Sequence, residues 1–321
     1  MVTIKILNIL DLELFIADVA VKKQAFFLYL ASNDPHSPWT RGNRSLFDAE
    51  KLTLPPTLVD TKETRKNYAN YLAEINQLDT DVGKIDALIK KYNLDENTVF
   101  IFTSEQGHQF PFAKWTCYDA GLQTGFIVRW KGVTMPGSET DAMCEYVDVT
   151  PTLLDIAGAS VPKGLDGKMF SACDKREKTT NKEYVFGIQT TRGIANGADY
   201  YGIRSVRNDK FSYILNLTPE VPFQNIITRK QDPVWFSWIN EAENDIFAKQ
   251  QIHKYQYRPK EELYDIINDP YQMHNLIDDV KYASEVKKLR RQLQRWMDSQ
   301  GDKGQETEMR ALEHKWNPKK H

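Results

Sequence analysis

Apolar positions along the chain fall into runs of two kinds. Residues 26–31 (Phe-Phe-Leu-Tyr-Leu-Ala) form an unbroken apolar stretch that ends in Ser32-Asn-Asp-Pro-His36. That texture predicts a strand covered on both faces, as in a parallel sheet flanked by helices. From Asn67 to Tyr92 the period changes: Tyr68, Tyr71, Leu72, Ile75, Leu78, Val82, Ile85, Leu88 and Ile89 recur at helical spacing. Two further apolar runs follow, at 98–103 (Thr-Val-Phe-Ile-Phe-Thr) and 126–130. Strand, long helix, strand is the βαβ pattern of an α/β fold with a mostly parallel sheet.

Thr150-Pro151 opens a short predicted helix, with Thr150 as N-cap and Gly158 as its stop. After Asp166-Gly167 the texture shifts to aromatic and β-branched residues broken by Gly and Asn. Residues 183–217 predict antiparallel strands with a hairpin at Asn208-Asp209. Residues 282–297 predict an amphipathic helix, with Val286, Leu289, Leu293 and Trp296 on the face that packs on that sheet. The stretch from Gly301 is polar and is expected to fray. The division expected is 1–182 as an α/β domain, 183–300 as a smaller antiparallel sheet plus helix, and 301–321 as a polar tail.

Composition narrows this little. The 321 residues are 41% hydrophobic, and 42 basic residues against 44 acidic ones leave a net charge of -2. No global field favours nucleic acid, so an anionic ligand must be held by a local cluster. The basic end (Lys315, Lys319, Lys320) reads as a solvated terminus. Cys117, Cys144 and Cys173 lack metal-ligand spacing and do not decide a compartment. The first fifteen residues are interrupted by Asp11 and Glu13 and lack a small-residue cleavage site, so they do not read as a signal peptide. No stretch approaches membrane-spanning length.

Ligands of open α/β sheets bind beyond the carboxyl ends of the strands. Two polar clusters stand there, Asn33-Asp-Pro-His36 and Ser104-Glu-Gln-Gly-His108, with Ala113-Lys114-Trp115 shortly after. They offer oxygen donors for a hard cation, two imidazoles and an ammonium. Taken singly, each has a plainer reading: a turn with a surface histidine, an acid complementing a helix N-terminus, a solvated lysine. His253 and His274 read as structural or exposed, and Tyr255 and Tyr257 as packing. Trp235 and Trp238 either line the approach to a site or pack the smaller unit.

Taken in order, the blocks resemble the sulfatase family of the alkaline phosphatase superfamily, in the later portion of its chain and in its heparan N-sulfatase-like branch. Residues 26–38 are similar to the segment that brings a histidine to the sulfate pocket. Residues 97–107 are similar to the one that supplies the last two metal ligands, and 113–121 to the stretch with a sulfate-contacting lysine. Residues 147–158 with Leu165-Asp-Gly, then Glu262-Leu-Tyr-Asp-Ile-Ile-Asn-Asp-Pro270 with His274-Asn-Leu276, match the family's later helix and closing segment. The resemblance implies sulfuric ester hydrolysis on a sulfated carbohydrate. It makes His36 and Lys114 the sulfate contacts, His108 a proton donor or specificity residue, and Glu105 and Gln106 ligands of a calcium ion. The family's usual pair is Asp-Asn, and Gln123 stands where many relatives carry arginine.

The family also implies a formylglycine nucleophile, made from a Cys/Ser-x-Pro/Ala-x-Arg motif near the N-terminus, and paired aspartates on a first strand. Neither pattern occurs in these 321 residues; Ser160-Val-Pro-Lys-Gly164 comes nearest and ends in glycine. The expectation is therefore the later part of a longer sulfatase, inactive by itself. The alternatives are a non-catalytic remnant that binds sulfated glycan, or a phosphodiesterase or phosphonate hydrolase of the same superfamily. Relatives are exported, and this chain shows no address of its own.

Overall fold

The structure is a computed structural model that describes residues 3–4, 9–170, 182–191, 197–198, 200–229 and 232–314. Cys173 and the basic end at 315–321 lie outside them. The strands are β1 (Thr3–Ile4), β2 (Tyr29–Leu30), β3 (Phe100–Thr103), β4 (Phe126–Arg129), β5 (Val185–Gln189), β6 (Ile203–Arg207), β7 (Phe211–Asn216) and β8 (Glu261–Asp265). The helices are α1 (Ile9–Lys22), α2 (Lys62–Lys91), α3 (Asp119–Leu122), α4 (Val149–Ile156), α5 (Ile226–Arg229), α6 (Pro233–Glu241), α7 (Ile246–Gln256), α8 (Ala283–Ser299) and α9 (Gln305–Met309). The chain divides into two compact units, Met1–Thr103 with Phe126–Gly132, and Ser104–Gly125 with Val133–His321.

In the first unit α1 packs against α2. Leu12 and Ile16 meet Ile85, Leu88 and Ile89, with Leu28, Leu30 and Phe100 at the margin. Glu13 of α1 ties the two helices together, accepting from the hydroxyl of Tyr92 at 3.1 Å. α2 starts a turn earlier than its apolar stripe because Thr61 caps it, Oγ1 accepting from Thr64 N–H at 3.0 Å. The helix stops where Asn93 turns left-handed, at φ 55°.

The apolar run at 26–31 is not covered on both faces. Leu28 and Leu30 face the helix pair, whereas Phe27 and Tyr29 are 52% and 56% exposed. The pleat sends successive side chains to opposite faces, and among the described residues only one face has a helical layer. β2 pairs in parallel with β1, but β3 pairs antiparallel with β4, Phe100 opposite Arg129. Among the described residues β2 and β3 are not neighbours in a sheet.

The second unit holds the four-stranded antiparallel sheet β5-β6-β7-β8, and the Glu262-Leu-Tyr-Asp block supplies its last strand. Asn208 makes the predicted hairpin: its Oδ1 accepts from Lys210 N–H at 2.9 Å and Phe211 N–H at 2.6 Å. One face packs on α8, where Val286, Leu289, Leu293 and Met297 meet Val206, Phe211, Tyr213 and Leu263. Trp296 stacks on Phe186 at 4.8 Å. Trp235, Trp238 and Tyr255 are buried core residues of the same unit, which settles the tryptophans as packing; Tyr257 is exposed against His253. α4 begins at Val149, not at a Thr150 cap, because a preceding turn at Tyr146–Asp148 already runs into it. Gly158 ends it with φ 68°.

The expected fraying from Gly301 is corrected for residues 302–310. Buried Arg204 on β6 donates Nε–H to Asp302 at 2.6 Å and lies 3.6 Å from Glu308. Glu308 also accepts from the Thr190 hydroxyl and from Thr191 N–H, both at 2.9 Å. A polar stretch stays ordered here because its carboxylates are the partners of a buried guanidinium. Among the described residues no helix is long and apolar enough to cross a membrane.

Candidate functional site

His36 belongs to the first unit. It sits in a tight turn, its N–H donating to Asn33 O at 2.8 Å, with cis peptide bonds before Pro35 and Pro38. Its Nδ1 donates to Ser37 O at 2.7 Å, which leaves Nε2 as the ring atom for a ligand. Next to it, Asp34 is bonded to Arg41, which also reaches Asp81 at 3.3 Å, while Glu74 accepts Thr40 N–H at 2.6 Å. Burial lifts the Asp34 carboxyl above its usual range; Arg41 opposes this, and Glu74 and Asp81 add to it.

The other candidates lie in the second unit. Glu105 and Gln106 are exposed, directly before Gly107. Gly107 donates its N–H to Gly121 O at 3.1 Å, and a Cβ there would stand 1.8 Å from Ala120 O. Gly121 is equally constrained, its Cβ position lying 2.5 Å from Ala113 O and 2.7 Å from Thr116 O. Two glycines thus let residues 105–107 lie backbone to backbone against the lysine segment.

His108 receives Phe110 N–H on Nδ1 at 3.3 Å, which puts the ring hydrogen on Nε2 in the neutral form. Burial pulls this imidazole from the usual 6.5 to about 4. It is therefore neutral at pH 7 and offers an N–H donor, not a mobile proton. The folded state resists protonation while the unfolded chain does not, so this stability is present above pH 6.5 and is lost as pH falls towards 4. Wild type should lose about 2–3 kcal/mol more than His108→Asn between pH 7 and pH 4 in urea titrations. Parallel profiles would contradict this burial.

Lys114 is the centre of an unusual loop. Phe110, Phe112, Ala113, Thr116, Cys117 and Tyr118 are all buried, while Lys114 and Trp115 stay partly open. Phe112 and Trp115 have φ of 69° and 70°, a left-handed conformation that costs about 1–2 kcal/mol per non-glycine residue. Lys114 donates its N–H to His108 O at 3.0 Å, and Thr116 Oγ1 donates to Ala113 O at 2.7 Å. Nζ of Lys114 lies 5.2 Å from the Trp115 ring. Partial burial lowers its ammonium below the usual lysine range, and the Glu105 carboxylate opposes that shift. Lys114, His108 and Glu105 are thus brought together in one loop system; His36 is placed in its own turn of the other unit.

The loop continues across the sheet face opposite α8. Tyr118 OH donates to Glu262 Oε2 at 2.8 Å, and Asp119 pairs with Arg207 at 3.0 Å. A Cβ on Gly187 would meet Leu122 at 2.5 Å. In the sequence Glu262 and Tyr264 stand only as family markers, and Tyr118 carries no mark of its own. The available signal was a row of apolar and aromatic residues (110–118) too irregular for a strand or a helix.

Among the described residues no three His, Cys, Asp or Glu side chains are grouped to hold a metal ion. Glu105 and Gln106 give two oxygen donors, short of the 6–8 that calcium takes.

Two family models match the chain: the sulfatase model over residues 8–159, and the C-terminal model of N-sulphoglucosamine sulphohydrolase over 107–253. An ulvan-active sulfatase of Formosa agariphila is 31% identical over 289 residues, covering 87% of this chain and 53% of that protein. Human N-sulphoglucosamine sulphohydrolase is 25% identical over 84% of this chain and 60% of its own length. The yidJ protein of Bacteroides fragilis, a candidate sulfatase, superposes with a TM-score of 0.67 at 20% identity, over 93% of this chain and 59% of that one. The chain spans between half and two thirds of each of these proteins. With 31% identity to a sulfatase over 87% of its length, two family models matched and the fold shared, the chain is a member of the sulfatase family.

Proposed function

We propose that this chain carries the sulfate-binding portion of a sulfuric ester hydrolase that acts on a sulfated carbohydrate. The observation that carries the reading is the Lys114 loop. A strained, deeply anchored backbone holds one cation partly out of water, in the segment where relatives named for ulvan and for N-sulphoglucosamine align. Strain of this kind persists where the surroundings over-determine it, and it concentrates at functional sites.

Lys114 supplies a point charge to a sulfate oxygen, worth more in this half-dry setting than in water. His36, in its own unit, is a separate candidate anion contact through Nε2. His108 offers a neutral N–H to an ester or sugar oxygen. Glu105 and Gln106 are two oxygen donors towards calcium, and the described residues do not complete its shell, so no step runs through the metal.

Binding without turnover is expected from these 321 residues, because no Cys/Ser-x-Pro/Ala-x-Arg motif supplies a nucleophile. In calorimetry with 4-nitrocatechol sulfate, Lys114→Ala should weaken binding about 10- to 100-fold, the loss of one hydrogen bond to a charged group. Lys51→Ala, at an 84% exposed lysine side chain, should leave it unchanged. Equal affinities of wild type and Lys114→Ala would sink the binding assignment. Calcium-dependent release of 4-nitrocatechol by this chain would overturn the expected inactivity.

A further inference from the structure

The Glu262-Leu-Tyr-Asp block is a family marker to which the sulfate reading gives no task, although it lies at the centre of the second unit. Glu262 is buried, and its Oε2 accepts from both Tyr118 OH (2.8 Å) and Tyr264 OH (2.6 Å). Its Oε1 accepts from Asn216 Nδ2 at 2.8 Å. One carboxylate therefore gathers a donor from β7, a donor from its own strand and the hydroxyl at the end of the lysine loop.

The same face carries cations. Arg258 is buried with its guanidinium 5.0 Å from the Tyr118 ring, 4.3 Å from Phe223 and 5.5 Å from Tyr255. Nζ of Lys254 lies 5.9 Å from the Phe112 ring and 5.7 Å from that of Tyr264. Phe112 also meets Tyr255 edge-on at 5.2 Å. Phe112 is one of the two left-handed residues that bracket Ala113-Lys114, and Tyr118 closes the loop two residues after Thr116. The contacts that hold the strained backbone thus come from α7, from Arg258 two residues past it and from β8, more than 130 residues further along the chain.

We propose that Glu262 and Tyr118 are positioning residues for Lys114: the carboxylate fixes the phenol, and the phenol fixes the loop end that sets where the ammonium stands. This rests on the reading that Lys114 meets the sulfate, but it concerns a different property, the environment of the amine. Neither residue touches the ligand. The hydroxyl of Tyr118 and the carboxylate of Glu262 are both enclosed, so they act through Phe112, Thr116 and the backbone between them. The same arrangement explains why the antiparallel sheet keeps polar residues on the face away from α8, where Ser205, Ser212, Glu262 and Tyr264 are buried. That face is the floor under the loop.

The test uses the full 321-residue chain and the variants Tyr118→Phe and Glu262→Gln, which delete one oxygen and one charge. Pulsed acetylation at a series of pH values, read by mass spectrometry of the Lys114 peptide, gives the titration of that amine. Lys51 in the same digest is the exposed reference. In wild type Lys114 should titrate below Lys51. In both variants its midpoint should move towards that of Lys51, and affinity for 4-nitrocatechol sulfate should fall at least 3-fold with the melt still cooperative. A lower melting temperature with the Lys114 titration and sulfate affinity unchanged would show a merely structural role and overturn the proposal. Should Glu262→Gln fail to fold, Tyr118→Phe decides alone, since it keeps the ring and its packing. Failure of the sulfate reading looks different: Lys114→Ala would then bind like wild type while the titration shift in Tyr118→Phe persisted.

Discussion

Replacing Gly107 with alanine is expected to lower the unfolding free energy by about 2–4 kcal/mol, a large share of an ordinary stability of about 5–15 kcal/mol. The added Cβ would stand 1.8 Å from Ala120 O, 2.8 Å from Ala120 C and 2.9 Å from Gly121 Cα. All three are backbone atoms, so no side chain can swing away. The Gly107 N–H to Gly121 O bond would also be forced open. The consequence is local as well as global, because this contact holds Glu105 and Gln106 against the Lys114 loop. Urea unfolding followed by circular dichroism measures it, with Gly83→Ala as the control. Gly83 lies inside α2 with nothing within 4 Å of its Cβ position, and alanine there should stabilise by about 0.5–1 kcal/mol. A Gly107→Ala variant as stable as wild type would show that the two segments do not approach as described.

Arg204→Met is expected to cost about 3–5 kcal/mol, because it strands Asp302 and Glu308 as buried carboxylates without a cation. The damage should reach both ends of the network. Thr190 and Thr191 bond to Glu308, Gly304 N–H donates to Asp302 at 2.9 Å, and Gly202 packs against the Glu308 carboxylate. Residues 302–310 should then detach, and limited proteolysis should cut there in the variant before wild type. The triple variant Arg204→Met, Asp302→Leu, Glu308→Gln should regain part of the loss, since it leaves no charge unpaired. Loss of less than 1 kcal/mol in Arg204→Met, with no new cleavage, would restore the picture of a frayed end.

Much of the smaller sheet was legible in the sequence. Alternation at 203–216, the Asn208 turn and the stripe from Val286 to Trp296 each act within a few residues, so periodicity reports them directly. Burial that depends on a second layer was not. The run at 26–31 looks two-sided because its residues are uniformly apolar, yet Phe27 and Tyr29 face outward. The order of 302–310 was hidden for the opposite reason: its residues are polar, and their partner, Arg204, is about a hundred positions away. At the candidate site, Lys114 and the Glu105–Gln106 pair stand out in the sequence by their place after the strand at 98–103, and the family order alone suggests roles for them. Nothing local distinguishes Lys114 from a solvated lysine until Phe112 and Trp115 are seen at positive φ. Tyr118 and Glu262 escaped because their tie spans 144 residues.

The central claim is that Lys114 is the cation that receives a sulfate group. Acetylation of Lys114 in the presence of a sulfated oligosaccharide, compared with its desulfated counterpart, tests it most directly. The sulfated ligand should protect Lys114 saturably, with Lys51 unaffected, and the desulfated ligand should protect neither. Undiminished labelling of Lys114 at concentrations where the sulfated ligand demonstrably binds would contradict the account.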